Sequence, residues 1–239
     1  MEKSEYPRIF VSEGTHFWYR ANREFSLELI DRFCQFKKKI EVLDAGCGTG
    51  GTTVALKKYD HVTGIDAHSL ALKFSKKYPI DHLVKANVNK LPFLDNKFDL
   101  VTSFDVLYHK DVNPTQALKE MYRLLKQEGW ILIRVPAFEF LRGGHDLVVQ
   151  TGRRFSASQL AELIKVARFK IHYLSYFNLI LFLPSLIWRN IKSKSSSDIV
   201  KLWSPLNFLL YIMLKIESKF ALNINLPFGT SVYCLAQKI

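Results

Sequence analysis

The 239-residue sequence contains few cysteines, few acidic residues beyond residue 150 and no long apolar run. Its cysteines, Cys34, Cys47 and Cys234, are far apart and lack metal-ligand spacing, so neither a disulfide framework nor a metal site is predicted. No apolar run reaches the roughly 18 to 20 residues of a membrane span. Residues 1–10 are charged and unlike a secretory signal, so we expect a cytoplasmic protein.

The scarcity of acids gives the two parts of the chain different charges. Residues 1–150 hold 22 basic and 19 acidic residues, whereas residues 151–239 hold 12 and 3. Such an excess favours contact with phosphate groups of a substrate, a nucleic acid or an anionic membrane. An ordinary solvated surface explains it equally well.

Strand-like and helix-like segments alternate along the chain. Residues 16–36 predict one amphipathic N-terminal helix. Seven strands are then predicted, at residues 40–44, 61–65, 82–86, 98–104, 130–135, 169–176 and 230–237. Helices are predicted at residues 52–58, 69–77, 114–126 and 157–167, the last of them capped by Ser156. This order predicts an α/β fold with a doubly wound, mostly parallel seven-stranded sheet.

A helical insertion before the last strand interrupts this alternation. Residues 177–228 contain two apolar runs, at 179–188 and 202–216, with a lysine-serine linker at 192–197 between them. Each run is short and contains a proline, which predicts two packed or interfacial helices. An apolar, basic insertion favours contact with the substrate, a peripheral membrane contact or a homodimer interface.

We therefore expect one domain over residues 1–239, with a helical cap at residues 1–38 and the insertion covering the substrate site. A polar loop at residues 136–154 is long enough to cover a site as well.

The glycine-rich segment VLDAGCGTGG, residues 42–51, is the most informative part of the sequence. Its start predicts a buried strand, and its glycines predict a turn whose backbone can approach a ligand closely. The next strand ends in Asp66, 20 residues after Gly46, where a carboxylate can accept hydrogen bonds from the ribose of a nucleoside cofactor. The same glycine spacing also fits nicotinamide-dependent dehydrogenases.

Further motifs follow in a fixed order: LPF at 91–93, FDLV at 98–101, ALKEMYRLLK at 117–126 and EGW at 128–130. Together they resemble the class I S-adenosylmethionine-dependent methyltransferases over about the first 135 residues. The resemblance implies a Rossmann-like fold, S-adenosyl-L-methionine as cofactor and a methyl-transfer reaction.

The same resemblance implies the residues that bind the cofactor. Asp44, Gly46 and Gly48 match the motif that holds its methionine end, and Asp66 matches the acid that binds ribose. Asn87 stands where the family usually has an aspartate facing adenine. The full implied set is Tyr19, Asp44, Gly46, Cys47, Gly48, Asp66, Ala67, Asn87, Val88 and Phe104.

A narrower resemblance rests on HFWYR at 16–20, FDVLYH at 104–109, HD at 145–146 and LPFGTS at 226–231. These segments are similar to a bacterial and archaeal methyltransferase group associated with surface-polysaccharide and natural-product synthesis. The similarity implies a small-molecule, glycan or lipid-linked acceptor. That group usually has a histidine near Thr151, which this sequence lacks.

Methyl transfer from a sulfonium is a direct displacement, so the acceptor must lie in line with the methyl group. An oxygen acceptor, which we favour over nitrogen or carbon, also needs a general base. The candidates are His109, His145 and Asp146, of which the last two could form an oriented pair. Capping or loop-stabilising roles explain all three as well.

Two other functions remain open at the level of the sequence. One is an NAD-dependent dehydrogenase, and the other is a non-catalytic basic module that binds nucleic acid or membrane. Nucleic acid is the less favoured partner, because the sequence resembles neither a base-flipping enzyme nor an RNA-binding domain.

Overall fold

The computed structural model of the protein describes residues 1–191 and 202–239. The lysine-serine linker predicted at residues 192–197 lies outside the described residues. The structure confirms the predicted seven-stranded sheet, which has the strand order β3-β2-β1-β4-β5-β7-β6. The strands are β1 (Ile40–Ala45), β2 (Asp60–Asp66), β3 (His82–Lys85), β4 (Phe98–Phe104), β5 (Leu125–Pro136), β6 (Phe169–Phe177) and β7 (Ser231–Lys238). Strand β7 runs antiparallel to both its neighbours, whereas the pairs from β3 to β5 are parallel.

Helices cover both faces of this sheet. They are α1 (Glu5–Ser12), α2 (Phe17–Phe33), α3 (Gly51–Leu56), α4 (Ser69–Ser75), α5 (Pro114–Leu124), α6 (Gly144–Val148), α7 (Ala157–Val166), α8 (Phe182–Ile191) and α9 (Ser204–Ala221). Ser156 caps α7 as predicted, because its side chain accepts a hydrogen bond from the Gln159 N–H. Short 3₁₀ turns occupy Lys57–Tyr59 and Glu139–Leu141.

Two apolar clusters, one on each side of the sheet, form the core. Adjacent residues of β4 point to opposite faces, since side chains alternate along a strand. Val101 packs with Met121 of α5 and Leu160 of α7, whereas Leu100 packs with the cluster that contains Phe25 and Leu29 of α2. Both faces of the central strands are thus buried, as a doubly wound sheet requires.

The N-terminal region contains two helices where the sequence predicts one. The predicted helix at residues 16–36 corresponds to α2, and α1 precedes it. Helix α1 is held by distant partners: the ring of Phe10 lies 5.1 Å from that of Phe74 and 5.7 Å from that of Tyr78. Tertiary packing therefore forms a helix that the charged local sequence does not indicate.

The insertion folds into α8 and α9, and α9 packs along α2. Lys215 forms an ion pair with Glu24 at 2.9 Å, and the Arg20 guanidinium lies 4.0 Å from the centre of the Tyr211 ring. None of the helices in the described part of the chain is long and apolar enough to cross a membrane.

Candidate cofactor and acceptor site

A cavity of about 820 Å³ opens at the carboxyl ends of the parallel strands. This volume lies within the range of about 300 to 1,000 Å³ that is usual for ligand sites. Every residue that the sequence analysis selects lines the cavity, namely Tyr19, Asp44, Gly46, Cys47, Gly48, Asp66, Ala67, Asn87, Val88, Phe104, His109, His145 and Asp146. The fold therefore brings together side chains and backbone groups from more than a hundred residues of sequence.

The glycine loop after β1 has the backbone conformation that its sequence predicts. Gly46 and Gly48 have φ angles of +98° and +54°, in the region that favours glycine. A Cβ on Gly46 would lie 2.2 Å from Cγ2 of Val106, whereas a Cβ on Gly48 would meet nothing within 4 Å. The backbone at Gly48 thus has open space beside it.

Asp66, at the end of β2, joins this loop to the neighbouring strand. Its Oδ2 accepts a hydrogen bond of 3.1 Å from the Gly48 N–H, and its Oδ1 accepts one of 2.8 Å from the His68 N–H. Burial raises the pKa of the carboxyl. Each carboxylate oxygen can accept a second hydrogen bond, so the carboxylate can still bind two hydroxyl groups.

Asp44 forms the buried floor of the same region. Its two oxygens accept hydrogen bonds from Thr53 Oγ1 at 2.6 Å and Thr102 Oγ1 at 2.9 Å. Burial raises the pKa of Asp44 to about 6, and these bonds partly oppose that rise. The carboxylate therefore also fixes β1 to α3 and β4.

Asn87 lies on the cavity wall after β3, beside the buried Val88. Its side-chain oxygen accepts a 2.9 Å hydrogen bond from the Asn89 N–H. One lone pair of this oxygen is therefore used locally, and the second remains for a ligand.

Glu13, in the loop between α1 and α2, is a site residue that the sequence analysis missed. Its carboxylate accepts hydrogen bonds from Thr49 Oγ1 at 2.7 Å, Tyr78 Oη at 3.0 Å and the Gly51 N–H at 3.1 Å. The first N–H group of α3 therefore binds the protein's own carboxylate. A glutamate in a polar N-terminal stretch gives no local signal for this contact.

Arg134, on β5, is the second missed residue. Its Nε and Nη2 donate to Oδ2 of Asp105 at 3.0 and 2.5 Å, and its guanidinium lies 4.9 Å from the centre of the Trp18 ring. Asp105 follows β4 directly, with a φ of +56°. An arginine within the apolar run WILIRVP is a signal that could have identified it, since buried charges are rare unless paired.

His109 lies where the loop after β4 meets the cavity. Burial lowers the pKa of its imidazole to about 4, and a hydrogen bond with the Val149 backbone partly opposes this shift. Its ring lies 4.3 Å from that of Tyr108. The imidazole is therefore neutral at pH 7 and able to accept a proton.

The His145 and Asp146 pair lies in α6, within the loop predicted to cover a site. Asp146 is buried and accepts hydrogen bonds from Arg154 Nε at 2.9 Å, Arg154 Nη2 at 3.1 Å and the Gly143 N–H at 2.6 Å. Both carboxylate oxygens thus bind the loop itself. This geometry favours a positioning role for Asp146 over proton abstraction.

A loop of glycines and a strand-end carboxylate on one cavity define a nucleoside-binding α/β protein. Comparison with known proteins identifies the family of nucleoside-binding proteins to which the chain belongs. A family model described as a methyltransferase domain matches residues 43–133. An uncharacterised protein of Methanocaldococcus jannaschii is 31% identical over 197 residues, which is 82% of each chain.

Named relatives cover less of the chain. Demethylmenaquinone methyltransferase of Lactiplantibacillus plantarum is 34% identical over 128 residues, 48% of this chain and 50% of that enzyme. The geranyl diphosphate C-methyltransferase of Streptomyces coelicolor, solved with Mg²⁺, geranyl diphosphate and S-adenosyl-L-homocysteine, has a TM-score of 0.61 at 14% identity, covering 90% of this chain and 79% of that one. The similarity to the geranyl diphosphate C-methyltransferase is a similarity of fold.

The chain belongs to the class I S-adenosylmethionine-dependent methyltransferases, and S-adenosyl-L-methionine is its cofactor. The residues present fit this group, because Gly48 leaves open space at the loop and Asp66 presents a carboxylate to the same cavity. This membership favours methyl transfer over the dehydrogenase and the non-catalytic module. The narrower polysaccharide-associated group stays a prediction.

Proposed function

We propose that the protein transfers the methyl group of S-adenosyl-L-methionine to an oxygen of a lipid-linked glycan or lipid-linked small molecule. One observation carries this proposal: the glycine loop and the helical insertion line one continuous cavity. A cofactor bound at the glycine loop and an acceptor bound at the insertion would therefore meet inside this cavity.

The cofactor half comprises the loop after β1 and the ends of β2 and β3. We propose that Asp66 binds the ribose hydroxyls, that the loop at Gly46 and Gly48 holds the methionine end, and that Asn87 and Val88 contact adenine. When bound, the cofactor supplies a methyl group activated by its sulfonium charge.

The acceptor half has walls of mainly apolar side chains. Leu181, Pro184, Leu202 and Leu210 of the insertion line it together with Trp18. Apolar walls lower the free energy of an apolar tail by about 25 cal/mol per Å² of tail surface removed from water. They support an acceptor that joins a polar head to a hydrocarbon part.

Polar side chains that line the same cavity, His109 and Asp105, suit a hydroxyl acceptor. We propose that His109 takes the hydroxyl proton at the ring nitrogen that does not bond to Val149. Asp105, held by Arg134, would orient the hydroxyl by accepting a hydrogen bond. Positioned proton transfer of this kind typically contributes a factor of about 10² to 10⁴ in rate.

We further propose that the reaction takes place in the cytoplasm on precursors of surface polysaccharides or natural products. The narrower sequence resemblance supports this setting. Small soluble acceptors and free glycans are the alternatives that an experiment must separate.

Transfer of a labelled methyl group from [methyl-³H]S-adenosyl-L-methionine tests the proposal. The protein is incubated with a total-lipid extract of its source cells or with their soluble metabolites, and label is counted in the organic and aqueous phases. We expect label in the organic phase, lowered about 100-fold or more by His109→Ala. Label confined to the aqueous phase, or absent from both, would contradict a lipid-linked acceptor.

The atom that receives the methyl group is identified with [methyl-¹³C]S-adenosyl-L-methionine. The ¹³C chemical shift of the product distinguishes a methyl group on oxygen from one on nitrogen or carbon. A shift typical of a methyl group on carbon would overturn the assignment to oxygen while leaving the lipid-linked acceptor in place.

A further inference from the structure

The outward side of the insertion helices exposes many large apolar side chains. Leu183 and Ile187 of α8 are more than 60% exposed, and Trp203, which precedes α9, is 75% exposed. Leu209, Ile216 and Phe220 of α9 are each more than half exposed. We call these six side chains the insertion face. So many exposed apolar side chains on two helices that follow each other in the chain indicate an interaction surface.

Helix α9 is apolar on two opposite sides. Leu209, Ile216 and Phe220 are spaced by seven and four residues, so they share one side of the helix. Leu214 and Ala221 lie on the other side and are fully buried. The side of α9 with Leu214 and Ala221 packs against the rest of the protein. The opposite side, which belongs to the insertion face, is exposed to solvent.

The sequence of the insertion holds more basic than acidic residues. Residues 177–228 contain six basic and two acidic residues. Glu217 is the acidic residue that falls within 177–191 and 202–228, and it is buried, accepting hydrogen bonds from the Leu179 and Ile180 N–H groups at 2.8 and 3.1 Å. Lys219, by contrast, is exposed. Lys215, the other lysine of this part, is paired with Glu24 and Glu28 of α2.

The same helices separate the insertion face from the cavity. Leu181 precedes α8, Pro184 lies within it, and Leu210 lies on α9, and all three line the cavity. A molecule held in a layer against the insertion face would therefore be one helix away from the site.

We infer that the insertion face docks on an anionic lipid bilayer. Interfacial helices insert an apolar side containing Trp, Phe and Leu about 5 to 10 Å into the headgroup boundary, while lysines reach anionic headgroups. Anionic headgroups complement the excess of basic residues in the sequence of the insertion. A second copy of the chain is a poorer partner, since a two-fold interface would bring together two insertions with the same excess of basic residues. This inference is independent of the methyl acceptor.

Sedimentation of the full chain with lipid vesicles tests the inference. One set of vesicles contains phosphatidylcholine and phosphatidylglycerol in equal parts, and the other contains phosphatidylcholine alone. We expect partitioning into the anionic vesicles to be at least about tenfold stronger and to fall as salt is raised. Absence of the protein from both vesicle pellets would overturn the inference.

Paired variants locate the contact. Leu209→Ser with Phe220→Ser removes two side chains of the insertion face, and Leu94→Ser with Val166→Ser removes two that are 82% and 58% exposed elsewhere. We expect the first pair to lower partitioning about tenfold or more and the second to leave it unchanged. Thermal unfolding and S-adenosylhomocysteine binding show that both variants fold.

Equal losses in the two variants would overturn the assignment to the insertion face. Analytical ultracentrifugation tests the alternative that the insertion face binds a second copy of the chain. A dimer that Leu209→Ser with Phe220→Ser splits into monomers, in a protein that does not bind vesicles, would assign this surface to a second copy and refute membrane docking.

Discussion

At the scale of single residues, the cavity places three carboxylates in different surroundings. Asp44 is held by two threonine hydroxyls, Asp66 by two backbone N–H groups and Asp105 by the Arg134 guanidinium. Asp44 and Asp105 thus have side-chain partners that fix them to the fold. Asp66 accepts hydrogen bonds from the backbone N–H groups of Gly48 and His68, and each of its oxygens can accept a further bond from a ligand.

His109 provides a test at this scale. Its lowered pKa means that the unfolded chain takes up a proton near pH 6.5, while the folded protein does so only near pH 4. Stability should therefore fall as the pH drops from about 6.5 towards 4. In NMR titrations of the ring protons, we expect the His109 signal, identified by its loss in His109→Gln, to titrate near pH 4. Titration near pH 6.5 would contradict the lowering of the His109 pKa by burial.

The sequence predicts the role of a residue well when the partners of that residue lie close to it in the chain, and poorly when they lie far away. Gly46 and Asp66 are recognisable because their function depends on neighbours in one loop and one strand. Arg134 depends on Asp105, which is 29 residues away in sequence, and on aromatic rings from α2 and β7. Such partners are known only once the sheet order is known.

At the scale of elements, buried carboxylates hold two segments beside the cavity in place. Glu13 ties the end of α1 to the glycine loop and to Tyr78, and Asp146 ties α6 to Arg154. Both elements line the cavity. Their stability therefore affects how well the site is enclosed.

Loss of the Glu13 carboxylate should loosen the N-terminal segment. Glu13→Ala removes three hydrogen bonds to a charged group, each worth about 1.5 to 3 kcal/mol at most. We expect faster hydrogen exchange in α1 and α3 and weaker S-adenosylhomocysteine binding, whereas Glu2→Ala, at an exposed position, should change neither. Unchanged exchange in α1 after Glu13→Ala would show that the packing of Tyr6 and Phe10 holds this helix without Glu13.

The Asp146–Arg154 pair makes a sharper energetic prediction. Arg154→Ala would leave a buried carboxylate without its ion partner, which costs about 3 to 5 kcal/mol. Urea unfolding should show this loss, while Arg153→Ala, at the half-exposed neighbouring position, should lower the free energy of unfolding by much less. Equal effects in the two variants would mean that the pair does not support the fold.

Elements differ in how well their local sequence predicts them. Strand β4 begins and ends where the apolar run predicts, at Phe98 and Phe104, because both of its faces are buried. The sequence does not predict helix α1, because its residues become helical through contact with Phe74 and Tyr78. Helix α9 continues past the apolar run that predicts it, to Ala221, because Ser218 and Ala221 are buried in the packed side of the helix.

At the scale of the whole molecule, a catalytic domain and an insertion share one cavity. The methyltransferase model covers residues 43–133, while the insertion lies outside that match. Residues from both regions nevertheless line the same space. The general chemistry therefore belongs to the first region, and we attribute acceptor choice and membrane docking to the second.

Calorimetric titration with S-adenosylhomocysteine tests the central claim that the cofactor binds between the glycine loop and Asp66. We expect one-to-one, saturable heat for the native chain and an affinity reduced at least about tenfold in Asp66→Ala, with Glu162→Ala, at an exposed position outside the cavity, as the control. No heat with the native chain, or equal affinity in Asp66→Ala, would contradict the account.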